Sequence, residues 1–88
     1  MNKDRRKQID LEIADIEKAM AMLVDAVANL ENIRDDEQEY YDNMPESLQG
    51  GEKGDTANEN IEALTTVIDQ IQELIDAEPV EGLQGAQA

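Results

Sequence analysis

The sequence predicts an all-α fold: an antiparallel helical hairpin, with a long helix over about 5–42 and a shorter one over about 55–77, dimerising into a helical bundle. Three observations carry this. Apolar residues fall at positions 9, 13, 16, 20, 23, 27 and 30, alternating steps of four and three. A second run, Ile61, Leu64, Ile68, Ile71 and Ile75, repeats the alternation, and between the two Pro45, Gly50, Gly51 and Gly54 interrupt it. Such spacing puts the apolar residues on one face of a helix, and two such faces joined through a breaker bury each other by folding back.

In the first helix Ile13, Met20 and Val27 take the a positions of a heptad and Ile9, Ile16, Leu23 and Leu30 the d positions. Ala19, Ala26 and Ile33 form a flanking row that widens the stripe. The register runs on through Arg34 and Glu37 to Tyr41 and Met44, so a charged layer is expected where the core should continue. An i,i+3 pair of Arg34 with Glu37 would seal that end; the other reading of Arg34 is a contact to a ligand or partner. Pro45 disfavours helix at Met44 and ends the helix near Asp42 or Asn43. Pro45-Glu46-Ser47-Leu48 then reads as a single turn, with Leu48 against the tyrosines and Asn43 bonding backbone groups at the break. Arg34, Glu37, Tyr41, Asn43, Met44, Pro45 and Leu48 thus form the corner of the hairpin, and Gly50, Gly51 and Gly54 permit the reversal.

Thr56-Ala57-Asn58-Glu59 reads as a capping box opening the second helix, with Asp55 a competing cap. Val67 and Leu74 flank its stripe, and Glu59, Glu62, Asp69, Glu73 and Asp76 take the opposite side. Glu78-Pro79 ends it. Residues 78–88 contain two glycines and no periodicity, and are expected to be a disordered tail outside a single domain of residues 1–77.

The two helices are unequal: about 38 residues span roughly 57 Å and about 22 residues roughly 33 Å. The second cannot cover the first, which leaves Ile9, Ile13, Ile16 and Met20 as the expected dimer interface. Leaving such a patch bare forfeits several kcal/mol at about 1.5–3 kcal/mol per buried aliphatic side chain. Residues 1–20 also balance five cations (Lys3, Arg5, Arg6, Lys7, Lys18) against five anions, so like segments can approach.

Composition removes much chemistry. The chain has no Cys, His, Phe or Trp, which excludes a thiol nucleophile, an imidazole base and zinc or iron coordination of the usual kinds. No catalytic, cofactor or metal site is expected. The whole net charge of −15 lies after Met20, which argues against direct nucleic-acid binding and against anionic membranes. No signal peptide or membrane span is expected, and the cytoplasm is the expected location. Asp35, Asp36, Glu39, Asp42, Glu62, Asp69 and Asp76 make up an acidic face suited to a partner with a basic surface. They do not follow the calcium-loop pattern.

The corner reads Asp35-Asp36-Glu37-Gln38-Glu39-Tyr40-Tyr41-Asp42-Asn43-Met44-Pro45-Glu46-Ser47-Leu48-Gln49. It resembles a family of short acidic proteins found in phages, prophages and conjugative elements of bacteria, over roughly residues 30–77. The resemblance implies a mobile-element origin and an α-hairpin; it brings no activity and no catalytic residue. The expected function is that of a non-enzymatic protein working through protein–protein interaction, with a homodimerising N-terminal helix. The alternative is a DNA mimic, an anti-defence inhibitor of a host nuclease or other DNA-binding protein.

Overall fold

The structure, a computed structural model, describes residues 1–87. It is all-α. Helix α1 spans Lys3–Asp42, α2 Glu46–Gln49, α3 Glu52–Asp76 and α4 Pro79–Ala86, with no strand among the described residues. The molecule is a rod of 67 × 15 × 14 Å.

Helix α1 opens on Asn2, whose side-chain oxygen accepts from the Arg5 N–H at 2.8 Å, with Asp4 in the first turn to favour the positive end of the helix dipole. It closes at Asp42. The Asn43 N–H donates to the Glu39 carbonyl at 3.0 Å and the Met44 N–H to that of Tyr41 at 3.1 Å, after which Pro45 turns the chain into α2.

The heptad ladder is the core. Ile13, Val27 and Ile68 are buried and Ile9, Ile16, Met20, Leu23, Leu30, Ile61, Leu64, Ile71 and Ile75 half-buried, as the three-four spacing predicts. Val24, Val27 and Ala28 adjoin Gln72 and Ile75 on one flank, while Leu30 and Glu37 adjoin Asn60, Ala63, Leu64 and Val67 on the other. Ile75 therefore lies beside Val27 and Leu64 beside Leu30 and Glu37, the antiparallel order of a chain folded back at the corner.

The corner differs from expectation in three ways. Helix α3 begins at Glu52 with Gly51 as an extended N-cap, so Thr56 lies in its second turn and the capping box does not form. None of the glycines has positive φ. Gly54 is instead required by proximity: a Cβ there would lie 1.9 Å from the Gln49 carbonyl oxygen. Leu48 is 43% exposed, and Met44 at 9% and Ala57 at 1% fill the corner in its place.

Residues 78–86 are the largest correction. Glu78 adopts a left-handed conformation (φ 49°, ψ 59°) between α3 and α4, and Pro79 starts α4, where its fixed φ suits the first helical position. Helix α4 then continues along the N-terminal half of α1. Pro79 and Val80 lie beside Glu17 and Met20, and the Gln87 amide donates to the Arg6 carbonyl at 3.3 Å and to the Asp10 carboxylate. Pro79, Val80 and Leu83 are its half-buried residues, and Gln87 just past its end is half-buried as well, so Val80, Leu83 and Gln87 again follow steps of three and four. The expected disordered tail is thus a docked helix through Ala86; Ala88 lies outside the described residues. With α4 in place Ile13 is only 8% exposed, so the N-terminal stripe is not bare, and the reason given for a dimer interface at Ile9, Ile13, Ile16 and Met20 no longer holds.

Candidate functional site

Turning one helix end for end exchanges its left and right flanks, so in the α1–α3 hairpin rows with the same heptad letter meet on the same side. With a at Ile13, Met20 and Val27 in α1 and at Ile61, Ile68 and Ile75 in α3, the e and b rows form one side and the g and c rows the other. Neighbouring residues agree. Glu31 and Gln72, both e, line one groove, and Tyr40, Asn60 and Thr56, from g and c rows, line another.

The e and b side carries the candidate site. Asp35 and Asp42 from α1, and Glu62, Asp69 and Asp76 from α3, are all b residues and all exposed. Within each helix they recur every seven residues, about 10.5 Å apart. Glu17 and Glu31 of the e row lie on the same side. No lysine or arginine follows Lys7 on these rows of α1, and none occurs on those of α3. Gln38 donates to Asp42 Oδ1 and Gln72 to Asp76 Oδ1, each at 3.0 Å, which fixes two of the carboxylates without neutralising them.

Two of the seven acids named from sequence stand apart. Asp36 follows Asp35 by about 100° around the helix and falls in the c row on the opposite side, and Glu39 sits on the outer edge. Arg34 also departs from expectation: its Nε lies 3.6 Å from Asp35 Oδ1, so the ion pair is with Asp35 and not Glu37. Glu37 is turned toward α3, beside Leu30, Asn60 and Leu64. With Arg34 30% and Asp35 71% exposed, the pair adds little to stability.

At the corner Tyr41 is half-buried and contributes its carbonyl, which accepts from Gln49 Nε2 at 3.0 Å as well as from the Met44 N–H and so ties α2 to the end of α1. Asn43 acts through its backbone N–H. Sequence reasoning missed Gln49 and Ala57 and placed Gly54 among the breakers; a glycine at the third position of a polar helix is the available signal for a close approach.

The α3–α4 elbow gathers more acid. Glu17, Glu78 and Glu81 border a shallow depression with Met20, Ile75 and Val80. A hydrogen bond to Glu81, reinforced by that residue's charge and more weakly by Asp76, holds the Glu78 carboxyl above the usual carboxylate range. Among the described residues no group of acidic side chains is arranged to hold a metal ion, and no helix is long and apolar enough to cross a membrane. No protein-family model matches the chain, and neither does any curated protein or solved structure.

Proposed function

We propose that this chain is a non-enzymatic interaction protein of a phage or other mobile element, which works in the bacterial cytoplasm as a homodimer and presents its acidic side to a basic surface of another protein. The observation that carries the reading is the one-sided row of Asp35, Asp42, Glu62, Asp69 and Asp76, exposed and without a facing cation from the same rows. Like charges held this close cost stability, and a complementary partner recovers that cost while speeding encounter. The mobile-element origin is supported by the resemblance of the corner sequence. The test is affinity capture from host extract followed by binding kinetics. Association should slow steeply with added salt, since the field is screened beyond about 8–10 Å near physiological ionic strength. It should slow again on reversing Glu62, Asp69 and Asp76 to Lys. Indifference to both salt and reversal sinks the reading.

A second reading is a DNA mimic that occupies the DNA site of a host nuclease or other defence protein. Rod shape and one-sided charge favour it. Fifteen net charges over 67 Å give one per about 4.5 Å, against about 1.7 Å for duplex DNA. Two fully overlapped rods in a dimer would halve the spacing to about 2.2 Å, close to the duplex value. Competition decides between the two: duplex DNA displaces the chain from its captured partner only if it is a mimic.

A further inference from the structure

The side of the hairpin opposite the acids carries a second seam. On α1 the g and c residues Ala19, Met22, Ala26, Asn29 and Ile33 repeat the three-four spacing, and none is charged. On α3 the same rows supply Thr56, Asn60, Ala63, Val67, Gln70 and Leu74, again without a charge. Asp36 and Lys53 bound this stripe toward the corner. In a chain one-third charged, eleven consecutive uncharged positions on two adjoining rows set this face apart from the rest of the surface.

The face is open. Met22 is 69%, Ile33 53%, Val67 43% and Leu74 50% exposed. All four are large apolar residues on this one side, spaced among alanines that would receive the side chains of a facing helix. The molecule is also under-buried for its size: it exposes 6429 Å², where a folded 9.8 kDa monomer exposes about 5,200 Å². The excess, about 1,200 Å², exceeds the roughly 800 Å² that each partner buries in an interface of standard size.

From these observations we infer that the g and c side is the homodimer interface, where a second copy packs hairpin against hairpin into a four-helix bundle. The inference rests on the homodimer reading above and relocates the contact from the N-terminal stripe, which α4 covers. A basic partner does not fit here, because its cations would face no carboxylate and lose hydration without return. A second copy does fit. Between two chains of −15 each, contact through any acidic row is opposed by repulsion, while this face brings apolar rows together and turns Asp35, Asp42, Glu62, Asp69 and Asp76 outward on both copies. The symmetric result is self-complementary, as a twofold contact must be.

Sedimentation equilibrium of the full chain at tens of micromolar is the test. The wild type should weigh twice the 9.8 kDa of the chain, and added salt should tighten the dimer by screening repulsion, the reverse of its effect on an acidic-side partner. Ile33→Glu and Val67→Glu change exposed residues, so each should keep its far-UV circular dichroism while the mass falls by half. A monomeric wild type overturns the homodimer reading itself. A dimer that survives both substitutions but dissociates with Ile13→Asp leaves that reading standing and overturns this interface in favour of the N-terminal stripe. A dimer that survives all three overturns both locations.

Discussion

The backbone of Gln49 rests directly on Gly54: a methyl group added at Gly54 would meet the Gln49 carbonyl oxygen at 1.9 Å and its carbonyl carbon at 2.5 Å. Helix α2 therefore presses against the first turn of α3 with nothing between, and the same Gln49 reaches back through its amide to the Tyr41 carbonyl. One residue clasps three helices. Gly54→Ala should gain about 1 kcal/mol in helix propensity and lose more through the clash, because the obstacle is backbone and cannot rotate away. A net loss of about 2 kcal/mol is expected, a fall in Tm of roughly 10 °C for a domain this size. Gly50→Ala, with nothing within 4 Å of its Cβ, is the control and should leave Tm unchanged or slightly raised.

Corner packing separates Met44 from Leu48. Met44 is 9% exposed and Leu48 43%. Met44→Ala should cost about 2–3 kcal/mol in chemical denaturation, by lost transfer energy and a cavity, and Leu48→Ala under about 1 kcal/mol. Equal losses would mean that Leu48 tucks under the tyrosines after all.

What could be read from sequence was what spacing alone determines. The ladder from Ile9 to Leu30 and its counterpart from Ile61 to Ile75 needed no tertiary information, because a three-four alternation has one geometric meaning. Helix α4 was not legible. Its eight residues include Gly82 and Gly85, below the length at which a helix holds in water unaided, and it exists through docking beside Glu17 and Met20 and through the Gln87 bonds to Arg6 and Asp10. The Gln49–Gly54 approach is likewise tertiary, visible in the chain only as a glycine where a helix loses by having one. The acidic face was half legible: its members were identifiable as exposed, but assigning Asp35 and Asp36 to opposite sides needed the antiparallel partner.

If α4 is held by docking, its glycines are a weakness that substitution should relieve. Neither Gly82 nor Gly85 has any atom within 4 Å of an added Cβ, and neither has positive φ. Gly82→Ala with Gly85→Ala should stabilise α4 by about 0.5–1 kcal/mol per site. Hydrogen exchange of amides 82–87 should slow accordingly. Unchanged, fully unprotected exchange in the double variant would show that the segment is not helical in solution.

The last prediction concerns the elbow, where Glu78 spends conformational energy and charge together. A left-handed non-glycine residue costs about 1–2 kcal/mol, and Glu78 takes this conformation next to Glu81, Asp76 and Glu17. The hydrogen bond to Glu81 and the charge of Glu81 raise the Glu78 carboxyl in the folded chain. A group whose folded pKa is raised contributes stability that is fully present below its unfolded pKa and lost as pH rises through the folded pKa. Docking of α4 should therefore weaken as pH climbs out of the carboxylate range toward neutrality and tighten again on acidification. General relief of the −15 charge on acidification acts in the same direction, so the wild type alone cannot separate the two. Glu81→Gln does separate them: it removes the neighbouring charge and the carboxyl-to-carboxyl bond while leaving the other acids in place. Protection of the α4 amides at pH 7 should rise in this variant, and its dependence on pH should be shallower than in the wild type. Glu78→Gly should gain at every pH, since it removes both the carboxylate and the left-handed strain, less what the freer glycine costs in the unfolded chain. Parallel pH profiles for wild type and Glu81→Gln would show that the elbow carboxylates do not control α4, and that its docking answers only to the charge of the whole rod.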